Sequence, residues 1–130
     1  MGEPRHQNLR QRTKRFALRV IKLVNALPAS PSGKVIGHQV LRSATSVAAN
    51  YREASRARSD AELIAKLGVV EQEHDETLLW FELLAESGTI DASRLGDLID
   101  EGDLIDEGEQ LLRITVASIK TSKARKQQEA

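Results

Sequence analysis

The stretch HQVLRSATSVAANYREASRARS, residues 38–59, decides the fold because it combines a helical apolar stripe with small residues. Apolar side chains at spacings of three and four predict an amphipathic helix. Within the stretch that stripe consists of Val40, Ala44, Val47, Tyr51 and Ala54, and Ile36 extends it one turn earlier. Small residues such as Ser43 and Ala48 allow a neighbouring helix to approach closely, and most of the charged residues are arginine. The stretch therefore predicts a helix that packs inside a helical bundle and presents a basic surface.

Composition restricts the class of protein. The chain has 130 residues, the size of one domain, so we expect a single domain over residues 1–130. Apolar residues make up 40% but aromatic residues only 3%, which favours closely packed aliphatic helices over a β-sandwich. The absence of cysteine excludes a disulfide framework and a thiolate site. Together with the lack of an apolar leader or a membrane-spanning run, it predicts a cytoplasmic protein without a membrane partner.

Charge is unevenly distributed along the chain although the formal net charge is zero. Residues 1–58 contain 12 Lys and Arg against 2 Asp and Glu (+10), residues 59–112 contain 2 against 16 (−14), and residues 113–130 contain 5 against 1 (+4). Such asymmetry indicates either a basic face for an anionic partner or complementary charges that meet on folding or between subunits. Charge counting leaves both interpretations open.

Helix-breaking residues divide the chain into four predicted helices. Prolines and a glycine within residues 28–33 predict the first loop, Ser59 or Asp60 can cap the third helix, and Gly88 has the position of a left-handed C-terminal residue. The predicted helices span about residues 8–27, 33–57, 60–86 and 92–123, followed by a flexible basic tail over residues 124–130. The predicted fold class is all-α, an antiparallel up-and-down four-helix bundle.

The fourth predicted helix carries two patterns. A heptad series predicts its buried side, which consists of Leu98, Ile105, Leu112 and Ile119. Overlapping it, the tandem GDLIDEGDLIDEGE, residues 96–109, repeats every six residues, so its two copies face directions about 120° apart on a helix. Gly102 and Gly108 each cost about 1 kcal/mol relative to alanine unless a close helix contact uses them. We expect an acidic and comparatively weak middle in this helix.

Three separated blocks of the sequence share one family resemblance. The spacing Q-x-x-R-A-x-x-S-I-x-x-N-x-x-E is matched by Gln39, Arg42, Ser46, Asn50 and Glu53. Residues 73–90, with Glu73, Glu76 and Trp80, and residues 109–123 follow in order. In these blocks the sequence resembles the bacterial four helix bundle protein family, which includes the 23S rRNA-intervening sequence proteins. The resemblance covers roughly residues 12–123.

This resemblance implies a bundle that assembles as a ring-shaped homo-oligomer, commonly a pentamer, with no established enzymatic activity. A distant branch of the family serves diversity-generating retroelements, where a basic pentamer binds nucleic acid and a reverse transcriptase. Fold membership by itself is weak support for a function. The resemblance thus implies a self-assembling protein and brings nucleic acid into consideration as a partner.

The family-motif residues allow two interpretations. Arg42, Asn50 and Glu53 lie on one flank of the second predicted helix, where they are either ligand or RNA contacts or part of a buried or interfacial polar network. The network is favoured because asparagine and glutamate are poor phosphate ligands, and Arg42 can pair with Glu73 or Glu76 of the next helix. Trp80 also allows a structural and a functional interpretation. It is expected to be an anchor in the core or at a subunit interface rather than a platform for base stacking.

Chemistry inside the bundle has weak support in the sequence. Glu71 and His74 form an E-x-x-H pair, the spacing that di-iron carboxylate bundles use, but the chain has no second copy. A hydrogen-bonded or interfacial histidine is therefore favoured over a metal ligand. No nucleophile motif and no glycine-rich phosphate loop occurs, so we expect neither an enzyme nor a cofactor. A metal- or small-molecule-binding bundle that uses Glu71 and His74 stays as the alternative hypothesis.

The leading functional hypothesis is a non-enzymatic oligomeric scaffold or adaptor. Its basic N-terminal helix and C-terminal segment would contact RNA, DNA or a nucleic-acid-associated protein. The candidate contact residues are Arg10, Arg12, Lys14, Arg15, Arg19, Lys22, Lys120, Lys123, Arg125 and Lys126. The scarcity of aromatic residues argues against base stacking as the mode of contact.

Overall fold

The computed structural model describes residues 3–91, 96 and 104–129, with the side chains of residues 8–91, 96 and 104–128. This part of the chain forms four long helices. They are α1 (Glu3–Asn25), α2 (Pro31–Ala54), α3 (Asp60–Glu86) and α4 (Leu104–Glu129). None of these helices is long and apolar enough to cross a membrane. The predicted all-α fold is confirmed.

The helices pack as an up-and-down bundle. α2 packs beside α1 and α3, and α4 also packs beside α1 and α3, whereas the diagonal helices α1 and α3 meet only through core side chains such as Phe16 and Phe81. The five-residue connections 26–30 and 55–59 are too short for anything but antiparallel neighbours. The bundle therefore has two opposite outer faces, one formed by α1 and α2 and the other by α3 and α4.

The start of α2 differs from the sequence-based prediction. Pro31 belongs to the helix instead of the loop, because proline fits the first helical turn, where its missing N–H has no partner to lose. Ser30 caps this end, since its Oγ accepts a hydrogen bond from Gly33 N at 3.1 Å. The loop is therefore shorter than residues 28–33.

The ends of α3 follow the prediction. Ser59 is the N-cap, and its Oγ accepts a hydrogen bond from Glu62 N at 3.1 Å. The Glu62 carboxylate in turn accepts a hydrogen bond from Arg58 N at 3.3 Å, which satisfies a further backbone donor at this end. Beyond the other end, Gly88 adopts a φ of +76°, the left-handed conformation that favours glycine.

The fourth helix corrects two predictions. It continues to Glu129, so the predicted flexible tail over residues 124–130 is wrong for residues 124–129. Its buried line begins with Leu104, Gly108 and Leu111 and reaches Ile119, so Ile119 of the predicted heptad is buried, whereas Ile105 and Leu112 are only half-buried. In the first half of α4 the buried positions lie one residue before those of the heptad, because α4 packs between α1 and α3. The predicted start near residue 92, Leu98 and Gly102 lie outside the described residues, although Gly96 is helical.

Aliphatic side chains and two phenylalanines fill the interior. The predicted stripe of α2 is buried from Val40 to Ala54, and Phe16 and Phe81 meet edge to face with ring centroids 6.1 Å apart. Gly108 is placed against these rings, since a Cβ there would lie 3.4 Å from Phe16 Cζ and 3.1 Å from Leu78 Cδ2. The second glycine of the tandem repeat therefore serves a close helix contact, which offsets its low helix propensity.

Candidate functional site

A cationic groove lies on the outer face between α1 and α2. Its volume is about 380 Å³. The residues that define it are Arg10, Lys14, Ala48, Ala49, Arg52, Glu53 and Arg56. Four of these seven side chains carry a positive charge, so the groove is a concave surface suited to an anion.

Helical spacing builds this groove from both sides. Arg10 and Lys14 are four residues apart and lie one above the other along α1. Arg52 and Arg56 are also four residues apart, at the end of α2 and in the connection that follows it. Ala48 and Ala49 form the floor of the groove between these two pairs of cations. Their side chains are too small to fill the space above it. The small residues of α2 were expected to let a neighbouring helix approach closely, whereas Ala48 and Ala49 line an open surface groove.

The charges of the groove are not neutralised within the described part of the chain. Arg10, Lys14, Arg52 and Arg56 make no ion pair with any described residue. The one carboxylate of the groove is Glu53, and it accepts a hydrogen bond from Lys66 Nζ of α3 at 2.8 Å. This hydrogen bond raises the pKa of Lys66. Because Glu53 is already paired with a cation, it compensates little of the positive charge of the groove.

The sequence-based candidate set missed Arg52 and Arg56. That set came from the two most basic segments, the first helix and the C-terminal segment. From α2 the sequence analysis considered only the residues of the family motif. A usable signal was present, since Arg52 and Arg56 follow Ala48 at steps of four, which places two cations and one small residue on a single helix face.

Three cations of the predicted set are engaged inside the molecule. Arg12 of α1 donates from Nε and Nη2 to Glu107 of α4 at 3.1 and 2.7 Å, and this hydrogen bond raises the pKa of Arg12. Arg125 donates to Asp60 Oδ1 at 2.9 and 2.6 Å and joins the end of α4 to the start of α3. Arg19 is half-buried and also has an interaction partner. Arg12 and Arg125 each join two helices, and Arg19 is also engaged, so the predicted basic face is smaller than the sequence indicated.

The remaining members of the set are exposed but do not converge on one site. Arg15 and Lys22 lie on the surface of α1, and Lys120, Lys123 and Lys126 lie on the surface of α4. None of the five lines the cationic groove, to which the predicted set contributes only Arg10 and Lys14.

The charged family-motif residues form the predicted network between α2 and α3, whereas Asn50 bonds within α2. Arg42 Nη1 contacts Glu73 at 3.2 Å and Arg42 Nη2 contacts Glu76 at 3.0 Å, while Glu53 pairs with Lys66 farther along the same interface. Asn50 Nδ2 donates to the backbone oxygen and the Oγ of Ser46, both at 2.9 Å. The pairing of Arg42 with Glu73 and Glu76 is therefore confirmed.

A double-mutant cycle tests this network. We expect Arg42→Met and Glu73→Gln to show a coupling free energy of about 0.5–1 kcal/mol in urea unfolding, because the pair is only partly shielded from water. As a control, a cycle between Arg42 and Glu82, which form no described ion pair, should give a coupling near zero. Equal coupling in both cycles would contradict the assignment of Glu73 as a specific partner.

Trp80 and His74, the candidates for base stacking and for metal binding, pack against the interior of the bundle. Trp80 is half-buried and packs against the core, and its Nε1 has no hydrogen-bond partner among the described residues. His74 is fully buried beside Phe16, with ring centroids 5.9 Å apart. Neither ring nitrogen of His74 has a partner among the described residues, so the hydrogen-bonded alternative of the prediction is not met there. The described residues contain no group of three metal-ligating side chains around Glu71 and His74.

An acidic groove lies on the opposite face, between α3 and α4. Its volume is about 320 Å³ and its lining includes Asp75, Glu82 and Glu109 beside Leu79, whose side chain is 46% exposed. The remaining lining residues are Leu78 and Ile105. The uneven charge of the sequence therefore becomes two oppositely charged outer faces.

These features define an all-α four-helix bundle protein with a cationic groove on one face. The chain belongs to the 23S rRNA-intervening sequence protein family, whose model matches residues 5–108. A solved structure from Bacteroides thetaiotaomicron, described as a protein of unknown function from the S23 ribosomal protein family, is similar to it. The two chains are 29% identical with a TM-score of 0.75, over 88% of this chain and 97% of that chain. No curated protein matches at a significant level. The predicted family is confirmed.

Proposed function

We propose that the protein is a non-enzymatic oligomeric scaffold that binds single-stranded RNA along the cationic groove. The observation that carries this proposal is the group of four cations that converge on an alanine floor without any described ion-pair partner. A groove with this arrangement favours a chain of phosphates, because each phosphate carries one negative charge and successive phosphates pass successive side chains.

The chemistry of the lining supports backbone recognition rather than base recognition. Arginine, which contributes three of the four cations, donates two parallel hydrogen bonds to a phosphate. The groove offers no aromatic side chain on which a base could stack. We therefore expect binding that depends strongly on salt and little on nucleotide sequence.

The same proposal includes self-association. The acidic groove and the cationic groove lie on opposite faces, and a surface that meets a different surface of the next copy produces a ring or a filament. Exposed Leu79 and Leu83 beside acidic residues of α3 support a contact at that face, and the resemblance to the family leads us to expect a pentameric ring. If the cationic groove instead receives the acidic face of a neighbour, RNA binding will fail while assembly depends on the groove.

Fluorescence anisotropy with a short labelled single-stranded RNA tests the proposal. Four phosphate contacts predict that the logarithm of the binding constant falls with the logarithm of salt concentration at a slope of about −3. We expect Arg52→Gln with Arg56→Gln to weaken binding about tenfold at low salt and to reduce the slope to about −1.4, because two contacts remain.

A variant of equal charge change controls for the general effect of charge. Lys120→Gln with Lys123→Gln removes two exposed cations outside the groove and should change the affinity less than about twofold. Equal losses in both variants would contradict the assignment to the groove. Absence of binding at low salt, together with a fall in solution mass for the Arg52 and Arg56 variant, would identify the groove as an intersubunit contact instead.

A further inference from the structure

One end of the bundle contains a second pocket that is chemically different from the cationic groove. It lies where α1 and α3 begin and where α2 and α4 end, and its volume is about 170 Å³. The residues that define this end pocket are Leu9, Tyr51, Ala54, Ser55, Leu63, Leu67, Ala117, Ser118, Thr121, Ser122 and Arg125. All four helices contribute, so the shape of the pocket is fixed by the packing of the bundle.

The deeper part of the end pocket is apolar. Leu9 is 6% exposed and Leu67 is 2% exposed, and the ring of Tyr51 adds an aromatic wall. An apolar cavity of about 150 Å³ inside a protein is known to hold a benzene ring. The end pocket is of similar size, so it can accommodate a single six-membered ring.

Ser122 gives this apolar pocket one position for a hydrogen bond. The residue is 3% exposed, and its hydroxyl group forms no hydrogen bond with the described residues. In comparison, Ser118, one turn earlier, donates to Ile114 O at 2.9 Å. The hydroxyl oxygen of Ser122 remains accessible from the pocket, where a ligand can exchange a hydrogen bond with it.

The charge of the end pocket favours a neutral ligand. Arg125 is the only charged residue among those that define the pocket, and its guanidinium already donates two hydrogen bonds to Asp60. A carboxylate or phosphate would have to displace Asp60, which is 15% exposed, from this pair. An anion therefore gains little here, in contrast to the cationic groove.

We infer that the end pocket binds a small neutral aromatic molecule of the size of phenol, with its hydroxyl group hydrogen-bonded to Ser122. This site is separate from the cationic groove and does not depend on RNA binding. Its specificity comes from shape in the apolar part and from one hydrogen bond at Ser122, which is the usual division of roles in small-molecule sites.

Titrations with phenol and toluene, followed by NMR chemical shifts of the full chain, test the inference. We expect saturable shifts with phenol at residues that define the end pocket. Ser122→Ala should weaken phenol binding roughly threefold to tenfold, the usual effect of one hydrogen bond, and leave toluene binding unchanged. Equal losses for both compounds would contradict the proposed hydrogen bond.

A pair of matched variants tests the location. Ala117 lines the pocket and is exposed, so Ala117→Phe should cover the opening and weaken phenol binding at least about tenfold without disturbing the core. Ala124 is exposed on the same helix but does not line the pocket, and Ala124→Phe should leave binding unchanged. Unsaturable shifts in the unmodified protein, binding of toluene alone, or equal effects of both phenylalanine variants would overturn the inference.

Discussion

Replacing Gly33 with alanine is expected to lower the free energy of unfolding by about 3 kcal/mol. A Cβ at this position would lie 2.3 Å from the backbone oxygen of Pro28 and 3.0 Å from Ser30 Oγ. The first contact forces the loop away from α2, and the second disturbs the Ser30 cap, which bonds to Gly33 N. Urea unfolding followed by circular dichroism at one fixed protein concentration measures the change.

Gly68→Ala provides the matched control for this prediction. Gly68 lies inside α3, and a Cβ there would meet nothing within 4 Å. Alanine should therefore raise the free energy of unfolding by about 1 kcal/mol through its higher helix propensity. If Gly33→Ala also stabilised the protein, the close approach of Pro28 to α2 would be wrong.

Acidification from pH 7 to pH 4 is expected to remove about 3 kcal/mol of stability through His74 alone. Burial lowers the pKa of His74 from 6.5 to about 4. Between these two values the unfolded chain binds a proton that the folded chain does not bind, so the free energy of unfolding falls as the pH falls. The contribution of His74 is fully present above about pH 6.5 and is lost progressively toward pH 4.

The contribution of His74 can be separated from that of the carboxylates by comparing variants over the same pH range. His74→Leu removes the titrating group and two buried nitrogens without described partners, so it should raise the free energy of unfolding at pH 7 by about 1–2 kcal/mol. Its stability should also fall less steeply between pH 6.5 and 4. His38 is exposed, and His38→Gln is the control that should keep the slope of the unmodified protein. An identical slope for His74→Leu would contradict the prediction.

Local patterns account for most of the helices. Apolar spacing and the cap residues Ser59 and Gly88 predicted α3 over residues 60–86, in agreement with the structure. Errors arose where a residue has two roles, as with Pro31, which usually ends a helix but is favoured in its first turn. The α4 heptad was wrong by one residue at Ile105 and Leu112 and right at Ile119, because a helix with 3.6 residues per turn drifts against a seven-residue repeat.

The candidate site was predictable only in part. Arg10 and Lys14 were expected at a basic face, but the same reasoning included Arg12 and Arg125, which are held by Glu107 and Asp60. Sequence spacing places charges on a helix face, but the pairing of that face with a neighbour depends on how the helices are rotated. The most basic segments were therefore a poor guide to which cations are free of an intramolecular partner.

By itself the sequence determined the helical class, the order of the helices, the family and the α2 polar motif that joins α3. These follow from periodicity, helix caps and residue spacing, which act within a few residues along the chain. Only the tertiary structure decided that Arg52 and Arg56 face Arg10 and Lys14, that His74 is buried without a described partner, and that four helix ends enclose a pocket. Those features depend on contacts between residues far apart in the chain, which close packing of the bundle brings together.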